Sequence, residues 1–159
     1  MGGRLSTFLR RWHENFCKSV MRVLVADDQK SVGTSLAELV GQCQHHVVQV
    51  VGSGLEAIQA YARHQPDVVV MDYRMPKLNG ATACRYILAN DPHARIVLIS
   101  GWASEHLRDL GALTVLPKPV TLDQLRNALD SASNYPRTVG GSSDDAPSPP
   151  AVTPLSAVE

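Results

Sequence analysis

Pro66-Asp67-Val68-Val69-Val70-Met71-Asp72-Tyr73-Arg74-Met75-Pro76-Lys77-Leu78-Asn79-Gly80 is the stretch on which the reading of the chain turns. Val68 to Met71 form a continuous apolar run that ends on a carboxylate, Asp72. Such a run between two prolines predicts a strand buried on both faces. Asp72 falls where that strand gives out. In an open parallel sheet, the edge at the carboxyl ends of the strands is where ligands bind. An isolated Asp after a strand can equally be a solvated turn residue, so its meaning depends on its surroundings.

Outward from this stretch, strand and helix patterns alternate. Arg22 to Ala26 predicts a strand ending in Asp27-Asp28. Ser31 reads as the N-cap of a helix with Leu36, Leu39 and Val40 inward. Val47 to Val51 predicts a second strand, and Leu55 to His64 a helix with Leu55, Ile58 and Ala62 inward. After the Asp72 strand, Asn79-Gly80 signals a turn and Ala81 to Asn90 a helix. Arg95 to Ile99 predicts a fourth strand ending in Ser100-Gly101, and about Ser104 to Leu110 a short helical piece. Leu113 to Leu116 predicts a fifth strand, stopped by Pro117-Lys118-Pro119. Thr121 caps a last helix with Leu122, Leu125, Ala128 and Leu129 inward. Five alternations with short connections predict an α/β fold, a doubly wound five-stranded parallel sheet covered on both faces.

The flanks differ. In residues 1–20, Leu5, Phe8, Leu9, Trp12 and Phe16 recur at the spacing of one helical face, while Arg4, Arg10, Arg11 and Lys18 stand against Glu14. This basic amphipathic extension could lie on an anionic membrane, pack on a partner or dock on its own domain. Met1-Gly2 with Ser6 also matches the short myristoylation pattern. Met21 would itself serve as a start, leaving residues 1–20 as an upstream extension. Residues 135–159, rich in Pro and Ser, read as a disordered tail with no output module. The expected division is therefore an extension at 1–20, one domain at 21–134 and a tail at 135–159.

Composition excludes some classes. The formal net charge is zero, so the chain as a whole carries no electrostatic case for nucleic acid. Cys17, Cys43 and Cys84 lie far apart without metal spacing, as expected of reduced thiols. No apolar run approaches the roughly 20 residues of a bilayer span.

The chemistry gathers at the strand ends. Strand one delivers Asp27 and Asp28, strand three Asp72, strand four Ser100 and strand five Lys118. Clustered carboxylates repel one another, which a hard divalent cation relieves, and oxygen ligands with retained water suit Mg²⁺. A carboxylate such as Asp72 can attack phosphorus. Lys118 would place a positive charge, and the Ser100 hydroxyl a hydrogen bond, on phosphoryl oxygens.

Val23-Leu24-Val25-Ala26-Asp27-Asp28, Met71-Asp72-Tyr73-Arg74-Met75-Pro76 with Asn79-Gly80, Leu98-Ile99-Ser100-Gly101 and Leu116-Pro117-Lys118-Pro119 resemble the signatures of response-regulator receiver domains. Gly54-Leu55-Glu56-Ala57 and Gly111-Ala112 fit as well. The resemblance covers about Met21 to Asn134. It implies the flavodoxin-like, CheY-like fold with strand order 2-1-3-4-5. By resemblance, Asp72 is the phosphoacceptor, loaded from a sensor histidine kinase or a histidine phosphotransfer protein. Asp28 would bind Mg²⁺ directly, Asp27 largely through water, and Asp72 and the backbone carbonyl of Arg74 would complete the protein ligands. Ser100 and Lys118 would hold the phosphoryl oxygens, and Lys118-Pro119 is cis in the family. The domain is expected to be a cytoplasmic, stand-alone, non-enzymatic switch in a two-component system, acting on a downstream protein and not on DNA.

Two features depart from the family pattern. Val115 stands three residues before Lys118, where many receivers carry Tyr or Phe. Only 18 positions separate Ser100 from Lys118, against about 22 in the family, so the fourth helix is expected to be shorter by about one turn of 3.6 residues. Trp102 is read either as a partner contact or as a cover for the site rim. With Arg74 it flanks the path of a hydrolytic water, so slow self-dephosphorylation is expected. The rival readings are a phosphorylation-independent interaction module, a hydrolase resembling haloacid-dehalogenase-like phosphatases, and a DNA-binding regulator. Adjacent Asp27-Asp28 in place of Asp-x-Asp argues against the second.

Overall fold

The structure is a computed structural model, and it describes residues 19–101 and 109–135. In chain order the elements are β1 (Arg22–Ala26), α1 (Lys30–Gln42), β2 (His46–Val51), α2 (Gly54–His64), β3 (Val68–Asp72), α3 (Gly80–Asn90), β4 (Ile96–Ser100), β5 (Thr114–Pro117) and α4 (Leu122–Asn134). The strands form one parallel sheet in the order β2-β1-β3-β4-β5. The expected fold class and strand order are therefore present.

The apolar run that ends on Asp72 lies at the centre of the sheet, and every residue of β3 and β4 is buried. Alternation along the strands divides the core into two layers, because successive side chains point to opposite faces. Leu24, Val69, Met71, Ile96 and Leu98 pack with Ala57, Ala60, Ala83, Cys84 and Ile87 of α2 and α3. Val23, Val25, Val68, Val70, Val97 and Ile99 pack with Leu36 and Val40 of α1 and with Leu125, Leu129 and Ala132 of α4. Each of the Val, Leu, Ile and Met side chains taken out of water stabilises the fold by roughly 1.5–3 kcal/mol.

Three helices begin on side-chain caps. The side chains of Ser53, Asn79 and Thr121 accept from the backbone N–H groups of Glu56 (3.3 Å), Thr82 (2.8 Å) and Gln124 (3.3 Å). Gln124 answers by accepting from the Thr121 N–H at 3.0 Å, completing a capping box. The Thr121 cap read from the sequence is thus present.

Ser31 is not a cap. It lies inside the first turn of α1, whose N-cap is Gln29 with no side-chain cap bond. Asp27 accounts for the difference: its Oδ1 accepts from the Gln29 N–H at 2.9 Å and turns the chain into the helix two residues earlier.

The inner face of α2 also differs from expectation. Leu55 is exposed, as is Ala62, and Ile58 is half-buried, whereas Gly54, Ala57 and Ala60 are the buried residues. A close approach sets this rotation. The Gly54 N–H donates to the Leu78 carbonyl at 3.0 Å, and a Cβ at Gly54 would stand 2.3 Å from that oxygen. The helix therefore turns its smallest residues inward, and the larger Leu55 is carried outside.

Val115 is a half-buried residue of β5 packed on the α2–α3 layer. Nearly all of the short piece expected at Ser104 to Leu110 lies outside the described residues, as do Trp102, residues 1–18 and the tail beyond Tyr135. No helix among the described residues is long and apolar enough to cross a membrane.

Candidate functional site

Parallel pairing brings the ends of the strands to one edge. Ala26 pairs with Met71 and Asp72 with Ile99, so the residues just past β1 and the last residue of β3 come together. Ser100 pairs with Pro117, and the Lys118 N–H donates to the Ser100 carbonyl at 2.9 Å. That bond delivers Lys118 to the same edge. The Lys118–Pro119 peptide is cis, as the resemblance implied.

Asp27, Asp28 and Asp72 each offer a carboxylate oxygen, all within 4.8 Å of one another. Asp27 and Asp72 are buried, whereas Asp28 is exposed. Lys118 Nζ lies 3.0 Å from Asp72 Oδ1 and 3.3 Å from Asp27 Oδ2. The other Asp27 oxygen takes the Gln29 N–H, so both of its oxygens have partners. Ser100 is buried at the end of β4. The edge therefore assembles Asp27, Asp28, Asp72, Ser100 and Lys118.

Burial and charge set the proton affinities at this edge. Burial pushes the Asp72 pKa up; the hydrogen bond and charge of Lys118 pull it down, Asp27 and Asp28 push it up again, and the net shift is upward. Burial acts to lower the Lys118 pKa, but its hydrogen bond to Asp72, the charges of Asp72 and Asp27 and its bond to Asp27 outweigh burial, and that net shift is also upward. Asp72 holds a proton more readily chiefly because it is buried, and Lys118 because the Asp72 and Asp27 carboxylates face it. Hard oxygen donors with an excess of negative charge fit a divalent cation such as Mg²⁺.

Arg74 lies on the exposed loop between β3 and α3, two residues past Asp72. This loop is held at several points. The Tyr73 N–H donates to the Ile99 carbonyl at 2.8 Å, and its carbonyl accepts from Gly80 at 2.9 Å. Met75 is buried, and Leu78 is fastened to Gly54 as described. Gly80 is required by contact, since a Cβ there would lie 2.1 Å from the Asp72 carbonyl oxygen. Sequence reading took Asn79-Gly80 as a turn within a family signature and Gly54 as part of another turn, but it assigned neither glycine a close contact and gave no role to the backbone of Gln29. Nothing in residue type or spacing marks those contacts; they exist only between segments that the fold brings together.

The response regulator receiver domain model matches residues 23–130, more than half of the chain, and the chain belongs to that family. Transcriptional regulatory protein PdtaR of Mycobacterium tuberculosis is 34% identical over 115 residues, covering 70% of this chain and 56% of its own length. The chain thus spans little more than half of that relative. Chemotaxis protein CheY of Listeria monocytogenes is 29% identical over 118 residues, covering 72% of this chain and 99% of CheY. Among solved structures, a receiver domain protein from Clostridium thermocellum superposes with a TM-score of 0.68 at 27% identity, covering 72% of this chain and 95% of that one. CheY in a CheX–CheY–BeF3–Mg complex from Borrelia burgdorferi matches with the same TM-score of 0.68 at 26% identity, covering 74% and 92%. The chain carries the receiver domain of a response regulator, a module of two-component signalling.

Proposed function

We propose that Asp72 accepts a phosphoryl group from the phosphohistidine of a sensor histidine kinase or a histidine phosphotransfer protein, in a Mg²⁺-dependent reaction. The observation that carries this reading is the meeting of three carboxylates within 4.8 Å with an ammonium 3.0 Å from one of them.

In the transfer, an Asp72 carboxylate oxygen forms a bond to phosphorus. The phosphorus–nitrogen bond breaks, and its electron pair leaves on the imidazole. Asp27, Asp28, Asp72 and the Arg74 carbonyl would hold Mg²⁺, which when bound supplies positive charge to the phosphoryl oxygens. Lys118 already stands at Asp72 and supplies a second positive charge, and the Ser100 hydroxyl donates a hydrogen bond. The phosphorylated domain then signals through protein–protein contacts, by shifting an equilibrium between two arrangements of Ser100 and Lys118. In this reading it works in the cytoplasm.

The test is the intact-protein mass after incubation with a small acyl-phosphate donor and Mg²⁺. Wild type is expected to gain one phosphoryl mass, and Asp72→Asn and an EDTA-treated sample none. An adduct that persists in Asp72→Asn would remove Asp72 as the acceptor. A folded wild type that takes no adduct would instead support an interaction module independent of phosphorylation.

A further inference from the structure

The loop between β3 and α3 turns back on itself at Lys77. The Leu78 N–H donates to the Pro76 carbonyl at 2.7 Å, and Lys77 between them has a φ of 66°. A hydrogen bond spanning three residues around a centre of positive φ marks the rarer, strained form of that turn. A left-handed backbone is uncommon for a side chain such as lysine, and it persists only where the surrounding structure fixes it.

We propose that Lys77 is a positioning residue for the cation site, acting through its left-handed backbone and not through its ammonium. The proposal rests on the reading in which the Arg74 carbonyl holds Mg²⁺. Three observations support it.

The first is how little chain is available for the reversal. The Gly80 N–H donates to the Tyr73 carbonyl at 2.9 Å, so the loop leaves and returns at one point. Inside that closure Met75 is buried in the α2–α3 layer, and the Leu78 carbonyl accepts from the Gly54 N–H at 3.0 Å. Only Pro76 and Lys77 lie between these two anchors. Proline fixes its own φ and offers no N–H, so the change of direction falls on Lys77.

The second is what the turn holds in place. Arg74 stands between two fixed neighbours: Tyr73, whose N–H donates to the Ile99 carbonyl at 2.8 Å, and Met75 in the core. If Lys77 left the left-handed region, either Met75 would be drawn from its layer or the Leu78 carbonyl would be drawn off Gly54. Either shift moves the backbone of Arg74, two residues past Asp72.

The third concerns the side chain. Lys77 is exposed. Its charge reaches Glu56, but that carboxylate is held chiefly by the Gly52 N–H, at 3.1 Å. An exposed charge of this kind fastens little.

The test compares variants of Lys77 by amide exchange in metal-free buffer and by Mg²⁺ titration followed in amide NMR spectra. Side chains branched at Cβ are the most strained at positive φ. Lys77→Val and Lys77→Thr are therefore expected to speed exchange of the Leu78 and Gly54 amides, and to weaken Mg²⁺ affinity, each by about tenfold. Lys77→Gly and Lys77→Asn accept the left-handed backbone, and Lys77→Gln removes only the charge. These three are expected to keep both quantities within about twofold of wild type. Lys77→Val and Lys77→Thr proteins that bind Mg²⁺ as wild type does would overturn the proposal, as would faster amide exchange with no change in affinity. So would a Lys77→Gln protein that loses as much as Lys77→Val, since the ammonium would then be the working group, or a Lys77→Gly protein that does so. Two β-branched variants are used so that one misfolded protein does not end the test. A wild type that binds no Mg²⁺ would overturn the reading of the site itself, and this proposal with it.

Discussion

Lys118 Nζ stands 3.0 Å from Asp72 Oδ1, with side-chain exposures of 27% and 6%. This ion pair ties the residue just past β5 to the last residue of β3 at the site edge, and Lys118 also pairs with Asp27. Removing Lys118 leaves three carboxylates without their ammonium. Lys118→Met is therefore expected to lower stability in metal-free buffer. The loss should fall below the roughly 3–5 kcal/mol typical when a fully buried pair is broken, because Lys118 remains partly solvated. Chemical denaturation with and without Mg²⁺ would measure it, and Mg²⁺ should restore much of the loss.

Asp72→Asn is expected to act in the opposite direction. Burial and the neighbouring carboxylates disfavour the charged form of Asp72 in the folded protein. A neutral isostere should therefore raise the melting temperature in metal-free buffer and remove much of the gain that Mg²⁺ gives wild type. A melting temperature that falls without metal would mean that the bond to Lys118 outweighs those costs.

The glycine contacts make a matched pair of predictions. Gly54→Ala places a Cβ 2.3 Å from the Leu78 carbonyl oxygen, whereas Gly52, in the same turn, meets nothing within 4 Å. Gly54→Ala should cost about 1–3 kcal/mol or more. It should also weaken Mg²⁺ binding, because the loop carrying Arg74 must move. Gly52→Ala should leave both unchanged. Denaturation curves and Mg²⁺ titrations on the two variants would decide it.

The cap of α2 predicts a pH dependence. Glu56 accepts from the Gly52 N–H at 3.1 Å. That bond, followed by the one involving Ser53, lowers the Glu56 pKa. A carboxyl with a lowered folded pKa stabilises the protein above its ordinary value of 4.5, and that contribution fades as pH falls through the folded pKa. Glu56→Gln should therefore be slightly less stable than wild type at neutral pH and equal to it in acid. Ser53→Ala should lose about 1 kcal/mol at either pH. Thermal melts across the range would show the two patterns.

Cys84 is expected to be inert. Burial pushes its thiol up to about 11, and no part of it reaches solvent, so the thiolate that alkylates is scarce. Peptide mapping after iodoacetamide at mildly alkaline pH should find Cys84 unmodified in native protein and modified once denaturant is added. Half-buried Cys43 should react sooner.

The sequence by itself determined the sheet and which residues meet at its carboxyl edge. Val68 to Met71 and Ile96 to Ile99 are apolar runs too long to leave in water and too short to be helices, and the helical segments read between successive strands carry the chain back across the sheet so that such strands run parallel. Parallel strands present their carboxyl ends at one edge, so Asp27, Asp28, Asp72, Ser100 and Lys118 had to share it. Periodicity and capping chemistry are local, which is why the Thr121 cap was legible. Only the tertiary structure decided the rest. Which stripe of α2 faces inward depends on Gly54 meeting Leu78, and hydrophobicity alone had pointed to Leu55. The start of α1 depends on the Asp27 carboxylate turning back to Gln29, which displaced Ser31 from the cap. The left-handed turn at Lys77 likewise comes from anchors on Met75 and Leu78 made by segments distant in sequence. Contacts of this kind carry no spacing signal, because the residues that make them become neighbours only after the sheet has formed.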